Sequence, residues 1–218
     1  CPIRTESRVR TVARCDSVLQ GAMAADQPND SRLFSFYLTA MHDLGRALQS
    51  QPRRVRMARP LREALYRILG TFAVGRGALL MLGEDGRRLE LACAKGVRSG
   101  AELASTLTLQ EVRRLRQATR PFRPTLPPGG LEKLAARLRA PMGKARLCWI
   151  VSLTTGSTAV GLLLLGDRVP SRPLTDLELE VLEEMAGLLA LRVDEARVRR
   201  ELDAQVRQSQ RTQRQLQQ

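Results

Sequence analysis

The longest unbroken apolar run, residues 159–165 (Ala-Val-Gly-Leu-Leu-Leu-Leu), is the tightest constraint on what this chain can become. It falls far short of the ~18 residues that span a bilayer, and it has the length of a buried strand. Another apolar run, residues 147–153, precedes it, and Thr154-Thr155-Gly156-Ser157 between them reads as a turn. The two runs therefore form a hairpin. An earlier stretch repeats the arrangement. Residues 78–82 (Ala-Leu-Leu-Met-Leu) lead into Glu84-Asp85-Gly86, and Asp-Gly tolerates the positive φ of a tight turn. Residues 88–94 then alternate with period two, as a returning strand does. The two hairpins predict antiparallel strands near 77–82, 88–94, 147–153 and 158–165.

Helical spacing surrounds the hairpins. Asp30-Ser31 offers an N-cap for a helix carrying Leu33, Phe34, Tyr37, Leu38, Met41, Leu44 and Leu48 on one side. Gln51-Pro52-Arg53-Arg54 breaks it, and a further helix follows Pro60. Between the hairpins, residues 99–140 read as a basic helical insert. Leu107, Leu109, Val112, Leu115 and Ala118 suggest one helix, and Leu131, Leu134, Ala135 and Leu138 another. The proline-rich stretch 121–128 between them is an edge strand at most. Its prolines and charges predict an insert with few apolar contacts. After the second hairpin, Thr175 with Glu178 makes a capping box for a helix running to the end of the chain. Leu179, Leu182, Met185, Leu189, Val193 and Ala196 form its first apolar face. Leu202, Val206, Ser209, Gln213 and Leu216 continue at spacings of four and three after a break in register. Such a helix outruns any single small domain, so its distal part is expected to pair with a copy of itself as a coiled coil.

Composition limits the chemistry. With one histidine, His42, and cysteines scattered at positions 1, 15, 93 and 148, there is no metal-binding spacing. Single cysteines of this kind suit a reducing cytoplasm. His42-Asp43 lacks the further ligands a metal phosphohydrolase needs, and no Ser-His-Asp set or Gly-rich phosphate loop is present. The chain reads as non-catalytic. Its net charge of +14 raises nucleic acid as a partner, and residues 98–146 concentrate eleven basic against three acidic side chains. Yet aromatic residues are 3% of the chain, too few for bases to stack on. Cys148 reads as a small buried hydrophobe, while Trp149 suits a pocket wall as well as a packing contact.

Two fragments carry a family resemblance. Residues 78–91 (ALLMLGEDGRRLEL) resemble the first hairpin of GAF domains. Residues 161–167 (GLLLLGD) with 173–182 (PLTDLELEVL) resemble the last strand and closing helix of that family. The resemblance covers residues 55–197. It implies an α+β fold, GAF/PAS-like, with an antiparallel sheet of about six strands flanked by helices and a long C-terminal helix. Residues 1–30 are expected to be poorly ordered, 31–54 to form an N-terminal helix and linker, and 198–218 to form the signalling coil. The family places ligands between the sheet and the insert, which nominates Leu107, Val112, Leu115, Phe122 and Trp149 as pocket residues. Val193, Ala196, Leu202, Val206 and Leu216 are nominated for the dimer and coil. The family's cyclic-nucleotide, haem and bilin signatures are absent, so the cofactor is unknown. The resemblance implies a homodimer, a small-molecule ligand, and an output domain such as a histidine kinase beyond Gln218, with no membrane segment in the chain. A nucleic-acid or acidic-partner module using the 98–146 region, or a degenerate and purely structural GAF domain, are the competing readings.

Overall fold

The structure, a computed structural model, describes residues 27–49, 58–98, 100–156, 158–168 and 172–216. Most of the segment expected to be poorly ordered (1–26) and the break at 51–54 lie outside the described residues. Packing divides the chain into a first unit, Cys1–Met41, and a second, His42–Gln218. Helix α1 (Gln27–Gln49) starts before the expected cap at Asp30-Ser31 and runs through the boundary between them. In its first half the rings of Phe36 and Tyr37 meet edge to face, with centroids 5.4 Å apart.

The second unit is built on one antiparallel sheet. In chain order its elements are α2 (Ala58–Thr71), β1 (Gly77–Leu82), β2 (Arg88–Lys95), a single 3₁₀ turn (Gly100–Leu103), β3 (Ser105–Thr106), α3 (Leu109–Leu115), α4 (Glu132–Ala145), β4 (Leu147–Thr155), β5 (Thr158–Gly166) and α5 (Asp176–Leu216). The sheet order is β3-β2-β1-β5-β4. The four long strands fall where the two hairpins predicted them. About six strands were expected; the described residues form five, and β3 is a two-residue strand inside the stretch that reads as helical.

Joining the two hairpins through β1 and β5 makes these the central strands, and both of their faces are covered. Register carries Ala78 and Leu80 of β1, Leu162 and Leu164 of β5 and Ile150 of β4 to one face. They merge there with Leu103, Leu107, Val112, Leu115, Leu134 and Leu138 of the insert in one apolar cluster. The other face receives α2 and the first half of α5. Leu65, Ile68 and Leu69 of α2 and Leu182, Met185 and Leu189 of α5 are fully buried. The insert is thus part of the core, against the expectation that its prolines and charges leave it poorly packed. Most of its apolar residues share one side, and most of its charges occupy the other, Glu111 being the buried exception.

Local signals explain where elements start and stop. Asp85 accepts hydrogen bonds from the Arg87 and Arg88 N–H groups, both at 2.9 Å, which closes the first hairpin turn. Helix α2 ends in a Schellman-type pair, Val74 N–H to Leu69 C=O at 2.8 Å and Ala73 N–H to Gly70 C=O at 3.2 Å. Helix α3 is shorter than its periodicity suggested. Thr108 caps it, and Leu107 is held outside it by an N–H bond to Arg87 C=O at 2.8 Å. The proline-rich stretch meets the sheet edge only where Phe122 and Ile150 exchange backbone hydrogen bonds of 2.9 and 2.8 Å.

Gly161 lies where the central strands cross under the helices, opposite Met81 on one side and Leu153 on the other. An added Cβ would drive into the Leu80 carbonyl, which belongs to the backbone and cannot swing aside. Gly161→Ala is therefore expected to cost about 3 kcal/mol, read as a lower urea midpoint at unchanged slope.

Candidate functional site

The packed apolar layer between the sheet and the insert is bordered by a polar clasp. Thr108 and Glu111 form a reciprocal capping box at the start of α3, with Thr108 N–H donating to Glu111 Oε2 at 2.7 Å and Glu111 N–H to Thr108 Oγ1 at 3.2 Å. Arg137, reaching across from α4, donates to the same Oε2 at 3.0 Å, to Thr106 C=O at 3.1 Å and to Ser105 Oγ at 3.3 Å. One guanidinium thus joins α4, β3 and α3. The Glu111 side chain is 3% exposed. Burial alone would raise its pKa, but the bonds from Arg137 and Thr108 outweigh burial and hold the carboxyl below its ordinary range.

Four of the five nominated pocket residues come together. Leu107, Val112, Leu115 and Phe122 are buried in the insert-side cluster. Trp149 does not join them. Cys148 is an extra residue in β4, a bulge between Leu147 and Trp149, and the Trp149 ring projects to the other face of the sheet. There Arg123 stacks over it at 4.7 Å from the ring centroid. The pair lines a separate cleft of about 300 Å³ with Asp167 and Arg172. Among the described residues, two polar atoms that sequence pattern did not single out are buried without a protein hydrogen-bond partner: Glu111 Oε1 and Ser152 Oγ. Ser152 pairs with Leu162 in register, so it shares the insert-side face. A lone Ser in an apolar strand was the only sequence signal for it. In an apolar layer, such atoms keep hydrogen-bonding capacity that the protein does not use.

Cys148 is half-buried and bonded, where a buried hydrophobe was expected: its Sγ lies 3.0 Å from Asp167 Oδ1. Burial, with the Asp167 bond and charge added, pushes its thiol up to about 12. Burial likewise raises Cys93 to about 11. Both cysteines are held as thiols. Among the described residues no group of three or more His, Cys, Asp or Glu is placed to hold a metal ion, and no helix is long and apolar enough to cross a membrane.

The residues nominated for the coil separate along α5. Val193 is buried and Ala196 half-buried, whereas Leu202 and Val206 are 58% and 48% exposed. Leu216 is helical at the end of α5. Near the end of its buried part, α5 is tied to β4 by a hydrogen bond from Thr155 Oγ1 to Asp194 Oδ2 at 3.2 Å. Beyond Arg197 every residue through Gln215 is exposed.

No protein-family model matches the chain, and no curated protein matches it. Solved structures do match its fold. The GAF domain of a phosphoenolpyruvate-protein phosphotransferase from Coxiella burnetii aligns with 75% of this chain and 95% of its own, at 14% identity and a TM-score of 0.57. The GAF domain of the corresponding Acinetobacter protein aligns with 74% and 94%, at 14% identity and 0.55. The GAF domain of a putative sensor histidine kinase from Pseudomonas syringae pv. tomato aligns with 83% and 99%, at 18% identity and 0.54. The fold is GAF-like: an α+β domain with an antiparallel sheet between helices, and a long C-terminal helix.

Removing the clasp should loosen the insert. Arg137→Ala is expected to cost about 2 kcal/mol, because it leaves a buried carboxylate without its cation. A carboxyl held below its ordinary pKa contributes stability that is full above that ordinary value and lost as pH falls through the lowered one. The difference between wild type and Arg137→Ala should therefore be largest near neutral pH and shrink in acid, as measured by urea unfolding across pH. Separately, Asp167→Asn removes the acceptor charge facing Cys148 and should lower its thiol pKa. Native-state alkylation of Cys148 at mildly alkaline pH is then expected to speed up about tenfold, with Cys93 unchanged as the internal control.

Proposed function

We propose that the chain is a non-catalytic sensory and dimerisation module of a bacterial signal-transduction protein, with α5 as its output. The observation that carries this reading is the exit of α5. A helix of 41 residues is about 60 Å long, far longer than the sheet it covers. Its first half is buried in the domain, and its second half keeps Leu202 and Val206 exposed on a four-three spacing that an isolated helix has no use for. Pairing with the same segment of a second copy, in parallel, buries that stripe and leaves the charged positions in water.

The Asp194–Thr155 bond sits where the helix leaves the sheet, beside the turn of the second hairpin. A shift in the sheet reaches the coil there, and the change of register between Ala196 and Leu202 lets the two halves of the helix favour different rotations. A ligand compartment that opens within the layer of Leu107, Val112, Leu115 and Phe122, with Ser152 as its polar group, is the seat for a small molecule. The P. syringae structure comes from a putative sensor histidine kinase, and another similar structure, at a TM-score of 0.51, from a methyl-accepting chemotaxis protein. A helix-coupled output domain of that kind, a histidine kinase foremost, suits α5.

Sedimentation equilibrium of the full chain should show a concentration-dependent dimer. Leu202→Asp with Val206→Asp is expected to raise its dissociation constant at least about a hundredfold while leaving the thermal unfolding of the domain in place. Ser209→Cys should cross-link between protomers on mild oxidation, because a parallel coil brings each core position against itself. A chain that stays monomeric at high concentration would remove the coil from this reading.

A further inference from the structure

The insert side of the domain ends in a second cleft, of about 340 Å³, whose lining is Arg76, Gly96, Arg98, Lys144, Ala145 and Arg146. It lies at one end of the sheet, where β1 and β4 begin and β2 finishes. Four of its six lining residues are cations, and among the described residues the ion pair found for this group is Lys144 with Glu102, at 3.1 Å. Like charges in one concavity repel, so a cleft of this composition lowers the stability of the empty domain and raises its affinity for anions.

The backbone is arranged to bring these cations together. Arg76 C=O accepts the Gly166 N–H at 3.0 Å, which locks the start of β1 to the end of β5. At Gly166 an added Cβ would stand 2.8 Å from the Arg146 carbonyl oxygen and 3.3 Å from Arg76 Cβ. At Gly96, in the left-handed region with φ of 68°, it would stand 3.0 Å from Arg76 Cγ. Two residues without side chains thus let the backbone that carries Arg76 and the backbone that carries Arg146 close up around the cleft. Arg146 itself adopts φ 55°, ψ 46°, the left-handed conformation at a helix C-terminus that glycine normally fills. Its N–H takes the carbonyls of Met142 and Gly143. An arginine at that position carries backbone strain that glycine would relieve, and what it adds is a guanidinium at the cleft.

From this geometry we infer that the cleft formed by Arg76, Arg98, Lys144 and Arg146 binds a small polyanion bearing two or more phosphate groups. Three guanidiniums and an ammonium recognise phosphoryl oxygens by charge-assisted, partly bidentate hydrogen bonds. The lining has no aromatic or large apolar wall, so a nucleobase would find nothing to stack on. The phosphate chain, free or as part of a larger metabolite, is the element recognised. The cleft is distinct from the compartment behind Leu107 and Phe122, and it stands or falls independently of the α5 coil.

The test is calorimetric titration of the full chain at fixed ionic strength with orthophosphate, pyrophosphate, tripolyphosphate and a short oligothymidylate. Saturable one-to-one binding that tightens from orthophosphate to tripolyphosphate is expected. Arg76→Gln and Arg98→Gln should each weaken tripolyphosphate binding about tenfold. Arg116→Gln, a basic residue of the insert outside the cleft, should leave it unchanged. Glu102→Gln should strengthen it by releasing Lys144. Arg146→Gly provides a readout that a merely structural residue would not give: the melting temperature of the free protein should rise while the affinity falls. Absence of saturable binding, or equal weakening by Arg116→Gln, would overturn the site in favour of a diffuse positive field. Oligothymidylate that binds more tightly than tripolyphosphate and displaces it would overturn the small-polyanion assignment and make this a nucleic-acid surface.

Discussion

Four consecutive leucines, Leu162 to Leu165, sit in β5 with no solvent exposure, two on each face of the sheet. Burying each contributes about 2 kcal/mol, and half of that is lost unless both faces are covered. The rest of the architecture follows from this requirement. Helices α2 and α5 cover one face, and the 3₁₀ turn, α3 and α4 cover the other. Placing β5 beside β1 moves the edges of the sheet to β4 and to the two-residue β3. The β4 edge is then met by Phe122 from the proline-rich stretch, whose backbone bonds to Ile150 supply one rung of pairing and no more. Short or blocked edges protect such a sheet from pairing with other chains.

The cover layers are held by one polar device used twice. Thr108 with Glu111 and Thr175 with Glu178 are both Thr-x-x-Glu capping boxes, and in each the glutamate is buried. In each an arginine from another element reaches the same carboxylate: Arg137 at 3.0 Å from Glu111, and Arg168 at 2.7 Å from Glu178. The box fixes where the helix starts, and the arginine fixes what it starts against. One box secures the insert that roofs the candidate ligand compartment, and the other secures the helix that leaves the domain. Arginine suits this work because its planar fork serves several oxygens at once, as Arg137 does with Glu111, Thr106 and Ser105. Part of the large basic excess is therefore structural. Another part lines the cleft at the sheet end, with Arg76, Arg98 and Arg146.

The surfaces divide along the same lines. The packed apolar layer and the basic cleft lie on the insert side, the Trp149–Arg123 cleft on the helix side, and α5 runs from the helix side out past the sheet. The hydrogen bond from Thr155 to Asp194 ties that helix to the end of β4.

Period and turn chemistry in the sequence determined the strands, their hairpin pairing, the capping box at Thr175 and the reach of the closing helix, because each depends on residues close together in the chain. The alternation of residues 88–94 and the Asp-Gly turn left little choice for the first hairpin. Tertiary structure alone decided the face on which Trp149 lies. Alternation places it opposite Ile150, and only packing shows that Ile150 faces the insert; the bulge at Cys148 then returns Leu147 to the insert side, and no residue's identity announces that bulge. It also decided that the insert is core: helical spacing shows that an apolar side exists, and only the sheet supplies the surface that buries it. Glu111 and Ser152 read as ordinary polar residues until packing removes water from them. The basic cleft is the clearest case. Arg76, Arg98 and Arg146 are scattered through the sequence among many other arginines, and they become one site only because β1, β2 and β4 bring their ends together in space.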